Sequence, residues 1–229
     1  MSARVAVVTG ASRGIGRAIA IALARRDLKI ALLGRPSQNL EATCNEVRSL
    51  GVAARTFACD VADEAQVRQA ADELVSTLGV PEVVVNNAGI VRRGMLVEET
   101  STDAWDDVIA INLRGPFLVS RALLPAMKRR GSGRLIHIGS ISSTIGCARN
   151  ASYAASKWGL VGFAKSLAEE LRGTGLISVA VLPGSVDTDM LRGSGFDPVM
   201  APSDVAKTVE YLALDAPAAV NGSAIELFG

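Results

Sequence analysis

The stretch Val7–Gly16, VVTGASRGIG, decides the fold. An apolar run enters a glycine-rich turn and leaves it as the helical segment IGRAIAIALA, residues 15–24. Gly10, Gly14 and Gly16 give the spacing G-x-x-x-G-x-G. Its physics resembles that of the commoner dinucleotide fingerprint: Gly10 makes the turn, while Gly14 and Gly16 let backbone approach a pyrophosphate and let the helix pack on the strand. The helix N-terminus then offers free N–H groups to phosphate charge. Ser12, Arg13 and Ile15 lie in the same loop and are candidates to line the site.

Outward from this loop, short apolar runs alternate with longer helical segments. Candidate strands are residues 4–8, 29–33, 53–58, 82–86, 134–139, 177–182 and 224–228. Such alternation predicts an α/β fold, a doubly wound parallel sheet with right-handed crossovers and helices on both faces. A length of 229 residues fits a single domain spanning 1–229.

The apolar content is 49% but aromatics are only 4%, so Ala, Val, Leu and Ile supply it, as a buried parallel sheet requires. A net charge of +1 argues against nucleic acid and against a polybasic membrane clamp. Cys44, Cys59 and Cys147 lack metal-ligand spacing, so no metal site is expected and the thiols read as reduced. The N-terminal residues enter a strand at once, without a signal-peptide layout, and AIAIALA is too short to span a bilayer. The expectation is a soluble cytoplasmic protein.

The end of the second strand bears on which cofactor is held. NAD sites place Asp or Glu there to bind the ribose 2′-hydroxyl. Here Gly34 and Arg35 stand at that point. Arg13 and Arg35 together suit a 2′-phosphate, so the expected cofactor is NADP(H).

Residues 101–130 read as one long helix capped by Ser101 or Thr102. Pro116 has no N–H for the carbonyl of Asn112, four residues back, so a kink with a free Asn112 carbonyl is predicted. His137 falls in an apolar strand run and reads as a packed strand residue, while Asp103, Asp106 and Asp107 read as a solvated helix face.

TGASRGIG, NNAG at Asn86–Gly89, GS ending at Ser140, YAASK at Tyr153–Lys157 and PG at Pro183–Gly184 stand in one order along the chain. Together they resemble the classical short-chain dehydrogenase/reductase family, most closely its 3-oxoacyl-(acyl carrier protein) reductase type. The resemblance implies a Rossmann fold with seven strands in the order 3-2-1-4-5-6-7. It implies catalytic roles for Asn112, Ser140, Tyr153 and Lys157, with Ser142 and Ser143 as near competitors of Ser140. Asp60 and Val61 match the stretch after the third strand that meets the adenine. Asn87, Ala88 and Gly89 match the segment along the ribose. Pro183, Gly184, Val186 and Thr188 match the stretch at the nicotinamide and diphosphate. A homotetramer or homodimer is also implied.

The chemistry follows from the residue types. A carbonyl that accepts hydride becomes an alkoxide in need of a proton. Tyr153 can supply one, and Lys157, one helical turn on, is expected to lower its pKa. Ser140 can orient the carbonyl oxygen, and a water on the Asn112 carbonyl can replace the proton. The expected activity is NADPH-dependent reduction of a small or carrier-bound ketone. The competing readings are a sugar, steroid or quinone reductase, or a non-catalytic NADP(H)-binding protein. One departure from the family pattern is the short, Gly- and Pro-bearing substrate lid at about 188–203.

Overall fold

The structure, a computed structural model, describes residues 4–229. Seven parallel strands form one sheet: β1 (Val5–Thr9), β2 (Lys29–Gly34), β3 (Ala54–Ala58), β4 (Val83–Asn86), β5 (Gly133–Ile138), β6 (Leu176–Pro183) and β7 (Ala224–Leu227). Their order is β3-β2-β1-β4-β5-β6-β7, as the resemblance implied. Val7 of β1 pairs with Ala31 of β2 on one side and Val84 of β4 on the other. The winding reverses between β1 and β4, and beyond the carboxyl ends of strands at such a switch point is where sheets of this kind bind ligands.

Helices cover both faces, so the central strands are apolar throughout. Alternation decides which side chain goes where. Ala6, Val8, Val83, Val85 and Ile136 join a core with Ile19, Leu23, Leu40 and Val209, under α1 (Gly14–Ala24), α2 (Gln38–Ser49) and α7 (Pro202–Leu214). Val7, Val84 and Leu135 point the other way, toward Leu74, Leu123 and Leu167, under α3 (Glu64–Thr77), α5 (Gly115–Arg130) and α6 (Ala151–Glu170).

The helix starts are locally encoded. Ser37 accepts a hydrogen bond from Leu40 N–H, and Asp63 accepts from the Ala65 and Gln66 N–H groups, which caps α2 and α3. Ser101, one of the two expected caps, accepts from Ala104 N–H and starts α4 (Thr102–Ile109).

The predicted long helix is present, but its kink takes a specific form. A π turn at Ala110–Arg114 joins α4 to α5, with Gly115 N–H reaching the Ala110 carbonyl five residues back. Pro116 sits in the first turn of α5, where no N–H is required. Asn112 lies in the middle of the π turn, a feature frequent at functional sites. The 29-residue run Thr102–Arg130 is long and apolar enough to cross a membrane. It instead packs Leu118, Val119, Leu123 and Met127 into the core.

Residues 188–201 form turns and no α-helix. Their ends are drawn together: Val186 bridges Met200, and Val199 N–H donates to the Ser185 carbonyl at 3.0 Å.

His137 is fully buried, as its strand position predicted. Its ring packs edge-on against Phe163 at 5.4 Å, and its Nδ1 lies 3.2 Å from the Asn86 amide nitrogen. Burial pushes its pKa from 6.5 down to about 3. Above pH 6.5 both folded and unfolded chains hold it neutral. Below that, the unfolded chain takes up a proton that the folded chain refuses until about pH 3. Stability is therefore lost as pH falls through this window, by up to about 1.4 kcal/mol per pH unit from this one group. In denaturant titrations at pH 7 and pH 5, His137→Gln is expected to lose about 2 kcal/mol less than the parent. Equal losses would contradict the assignment.

Candidate active site

Two loops lock together at the switch point. Thr9 Oγ1 accepts from the Asn87 and Ala88 N–H groups, each at 2.9 Å, and Asn87 Nδ2 donates to the carbonyls of Thr9 and Gly10 at 2.9 and 3.1 Å. This closeness explains the glycines. Gly10 has a φ of +66°, and a Cβ there would lie 2.8 Å from the Ala88 Cα. A Cβ on Gly16 would lie 2.4 Å from both the Gly10 carbonyl oxygen and Asn87 Nδ2. Gly16 was expected to admit a pyrophosphate and to let the helix pack closely; the chain's own close packing already requires it.

The first turn of α1 differs from the other early helices. Arg13, its cap, is extended, makes no side-chain capping bond, and no acidic residue follows in the first turn. Among the described residues its leading N–H groups have no side-chain acceptor, an arrangement suited to a phosphate. Ser12, Ile15 and Gly14 surround this turn, and the Thr188 methyl lies 3.2 Å from where a Gly14 Cβ would stand. The loop after β6 thus closes over the glycine loop. Pro183 ends β6, Gly184 N–H bonds the Leu227 carbonyl at 2.8 Å, and Val186 is buried. Asp60 bonds the Ala62 N–H at 3.0 Å through one carboxylate oxygen, and Val61 packs on Gly115. These residues fit a dinucleotide.

The two arginines expected at a 2′-phosphate are not drawn to one point. Arg13 pairs with Asp189 at 3.3 Å. Arg35 stands exposed just past β2, with no carboxylate partner among the described residues.

The four residues expected to be catalytic do converge. α6 carries Tyr153 and Lys157 one turn apart, 7% and 4% exposed. The Lys157 ammonium donates to the Ile138 carbonyl at 2.8 Å and lies 5.7 Å from the centre of the Tyr153 ring. It also lies 3.7 Å from where a Gly89 Cβ would stand, beside the segment that the resemblance sets along the ribose. Ser140 follows β5, and its hydroxyl accepts from Ser142 N–H at 3.1 Å.

Asn112 joins these parts through its side chain. Its Oδ1 accepts from Ile90 N–H at 2.8 Å, and its Nδ2 donates to the Ile90 carbonyl at 2.9 Å and to Ser156 Oγ at 3.1 Å. Ser156 in turn donates to the Tyr153 carbonyl at 2.7 Å. The π turn, the loop after β4 and the start of α6 are thereby tied into one network.

The protonation balance differs from the expectation. Burial raises the Tyr153 pKa, and the Ser140 hydroxyl and the Arg93 charge oppose that rise. Burial pulls the Lys157 ammonium itself down to about 8, and it is turned toward the Ile138 carbonyl. Of the two nearby serines, Ser142 contributes its N–H to Ser140, and Ser143 is buried with no partner for its hydroxyl among the described residues.

Residues 4–197 match the short chain dehydrogenase family. The chain belongs to this family. It is 35% identical to the 3-oxoacyl-(acyl-carrier-protein) reductase of Escherichia coli, covering 99% of this chain and 96% of that protein. It is also 35% identical to D-threitol dehydrogenase of Mycolicibacterium smegmatis, covering 100% and 93%. Among solved structures it resembles levodione reductase, with a TM-score of 0.93, 30% identity and coverage of 99% and 96%.

In this short-chain dehydrogenase, three contributors carried no clear sequence signal. Thr9 and Ser156 lie inside the quoted motifs, but only the folded chain shows what their hydroxyls bridge. Arg93 lies outside every motif and is 60 residues from the tyrosine it influences (153 − 93 = 60). Asp107 was read as part of a solvated face; it remains exposed but pairs with Arg92 at 3.3 Å.

The Asn112 network makes a stability prediction. Asn112→Ala removes three hydrogen bonds and strips the half-buried Ile90 N–H and carbonyl of their partner, at a cost of about 2–4 kcal/mol in chemical denaturation. A loss below about 0.5 kcal/mol would show that the network does not hold the loop.

Proposed function

We propose that this short-chain dehydrogenase reduces a ketone to a secondary alcohol with NADPH, with Tyr153 as the proton donor. What carries the reading is the meeting of Tyr153, Ser140 and Lys157 beside Gly89 at the sheet's switch point. A reduced nicotinamide, when bound, supplies the hydride. In this reading it is held by Gly10, Ser12, Arg13, Gly14, Ile15, Gly16, Arg35, Asp60, Val61, Asn87, Ala88, Gly89, Pro183, Gly184, Val186 and Thr188, together with Tyr153 and Lys157.

The chain's own residues supply the proton chemistry. Ser140 hydrogen-bonds the carbonyl oxygen and fixes its direction. Tyr153, whose burial keeps the phenol protonated at neutral pH, gives its proton to that oxygen as charge develops. Lys157, at about 8, is the more acidic of the pair, so a proton returning from its ammonium to the phenolate runs downhill. Asn112 reaches the Tyr153 backbone through Ser156 and holds the loop after β4 through Ile90.

NADPH over NADH is supported by Arg35 and by the absence of a carboxylate at Gly34. A carrier-bound 3-oxoacyl thioester is one candidate substrate, supported by the activity named for the Escherichia coli relative. Exposed Phe117 and Trp158 on α5 and α6 support a homo-oligomer. A cytoplasmic location fits this reading.

Tyr153→Phe is expected to cut turnover of a ketone substrate at least 100-fold while leaving the affinity for NADPH, measured by fluorescence titration, within about 3-fold. Unchanged turnover would overturn the assignment. Arg35→Asp is expected to reverse the preference toward NADH by about 10-fold or more in kcat/KM. Retained NADPH selectivity would refute the 2′-phosphate role.

A further inference from the structure

Arg92 and Arg93 are neighbours with different surroundings. Arg92 is exposed and paired with Asp107. Arg93 is half-buried, and its guanidinium donates one hydrogen bond, to the Met190 carbonyl at 2.5 Å. Met190 belongs to the short segment over the site, so Arg93 reaches from the loop after β4 across to that segment. Among the described residues, no carboxylate oxygen lies within 4.0 Å of it. The nearby Asp189 is already engaged by Arg13 and Arg192.

The loop that carries Arg93 is well held. Gly94 N–H bonds the Arg149 carbonyl at 3.1 Å, and Arg149 Nη1 returns a bond to the Gly94 carbonyl at 3.0 Å. Ile90, at the other end, is fixed by Asn112. A guanidinium with five donors, one of them used among the described residues, therefore stands on an anchored loop beside the candidate site. Its charge is felt at the Tyr153 phenol. Half-burial strengthens a charge-assisted bond relative to one in open water.

We propose that Arg93 is a specificity-determining residue that binds an anionic group of the substrate, so that the preferred ketone is a small oxo acid. This rests on the reductase reading above. The fold sets the reach: Gly94, next to Arg93, is bonded to Arg149, just ahead of the first turn of α6 that carries Tyr153, so the anion must lie a few bonds from the carbonyl. A carboxylate of a short oxo acid meets that condition, whereas the phosphate of a carrier's prosthetic arm lies many bonds away. The carboxylate would occupy the guanidinium's unused N–H groups while the carbonyl faces Tyr153 and Ser140.

The test compares acetoacetate with its neutral ethyl ester, each with NADPH, in the parent, Arg93→Gln and Arg93→Lys. Glutamine keeps a donor for the Met190 carbonyl but removes the charge. The parent is expected to favour acetoacetate in kcat/KM. Arg93→Gln should lower kcat/KM for acetoacetate about 10- to 100-fold more than for the ester, mainly through KM, the worth of one hydrogen bond to a charged group. Arg93→Lys should recover part of that loss. Equal losses on acid and ester would mean that Arg93 only clasps the segment, and the proposal fails. Reduction of the ester but not of the acid would also overturn it, while leaving the reductase reading intact. Absence of Tyr153-dependent turnover on either would strike the reductase reading instead. In that case binding of butyrate, followed by calorimetry, still decides: Arg93-dependent binding supports the anion site, and no binding to the parent overturns it.

Discussion

The site depends on how one buried ammonium is accommodated. Lys157 lies almost wholly out of water, and the acceptor that the structure gives it is the Ile138 carbonyl at the end of β5. A single carbonyl repays only part of the desolvation of a charge, so the ammonium becomes more acidic than a solvated lysine. The same burial acts on Tyr153 with the opposite sign, because there the charged form is the anion. Excluding water thus moves the two groups' pKa values toward and past each other. A phenol that stays protonated sits beside an amine ready to release its proton, and no carboxylate is involved.

That arrangement needs a rigid setting, which the fold supplies at its switch point. β1 and β4 end side by side, and their loops are sewn together by Thr9 and Asn87. The Asn112 side chain then links the loop after β4 to α6. The π turn delivers this asparagine at the right depth, with Pro116 just beyond it in α5. The glycines at 10 and 16 serve this closeness directly, since any side chain there would collide with the neighbouring loop.

Much of the architecture was legible because it is set by periodicity. The seven strands lie within one or two residues of their predicted positions, since each is a short apolar run bounded by polar or glycine residues. The distortion at Asn112 was readable from the missing N–H of Pro116, although a π turn rather than a simple kink resolves it. The short segment at 188–203 was marked by its glycines and prolines. Electrostatics was less accessible. A one-turn spacing of Tyr153 and Lys157 suggested mutual charge stabilisation, but sequence does not report burial, and burial sets both pKa directions here. Arg93 was invisible for another reason: its effect on the tyrosine is made by the fold across distant parts of the chain.

The acidity of Lys157 is the central claim, and titrating it is the most direct test. Protein labelled with lysine carrying 13C at the ε position can be followed by NMR between pH 6 and 11, with Lys157→Met assigning the resonance. The account predicts one lysine signal titrating near pH 8 and missing from the variant. A Lys157 signal that titrates with the solvated lysines, above about pH 10, would contradict it.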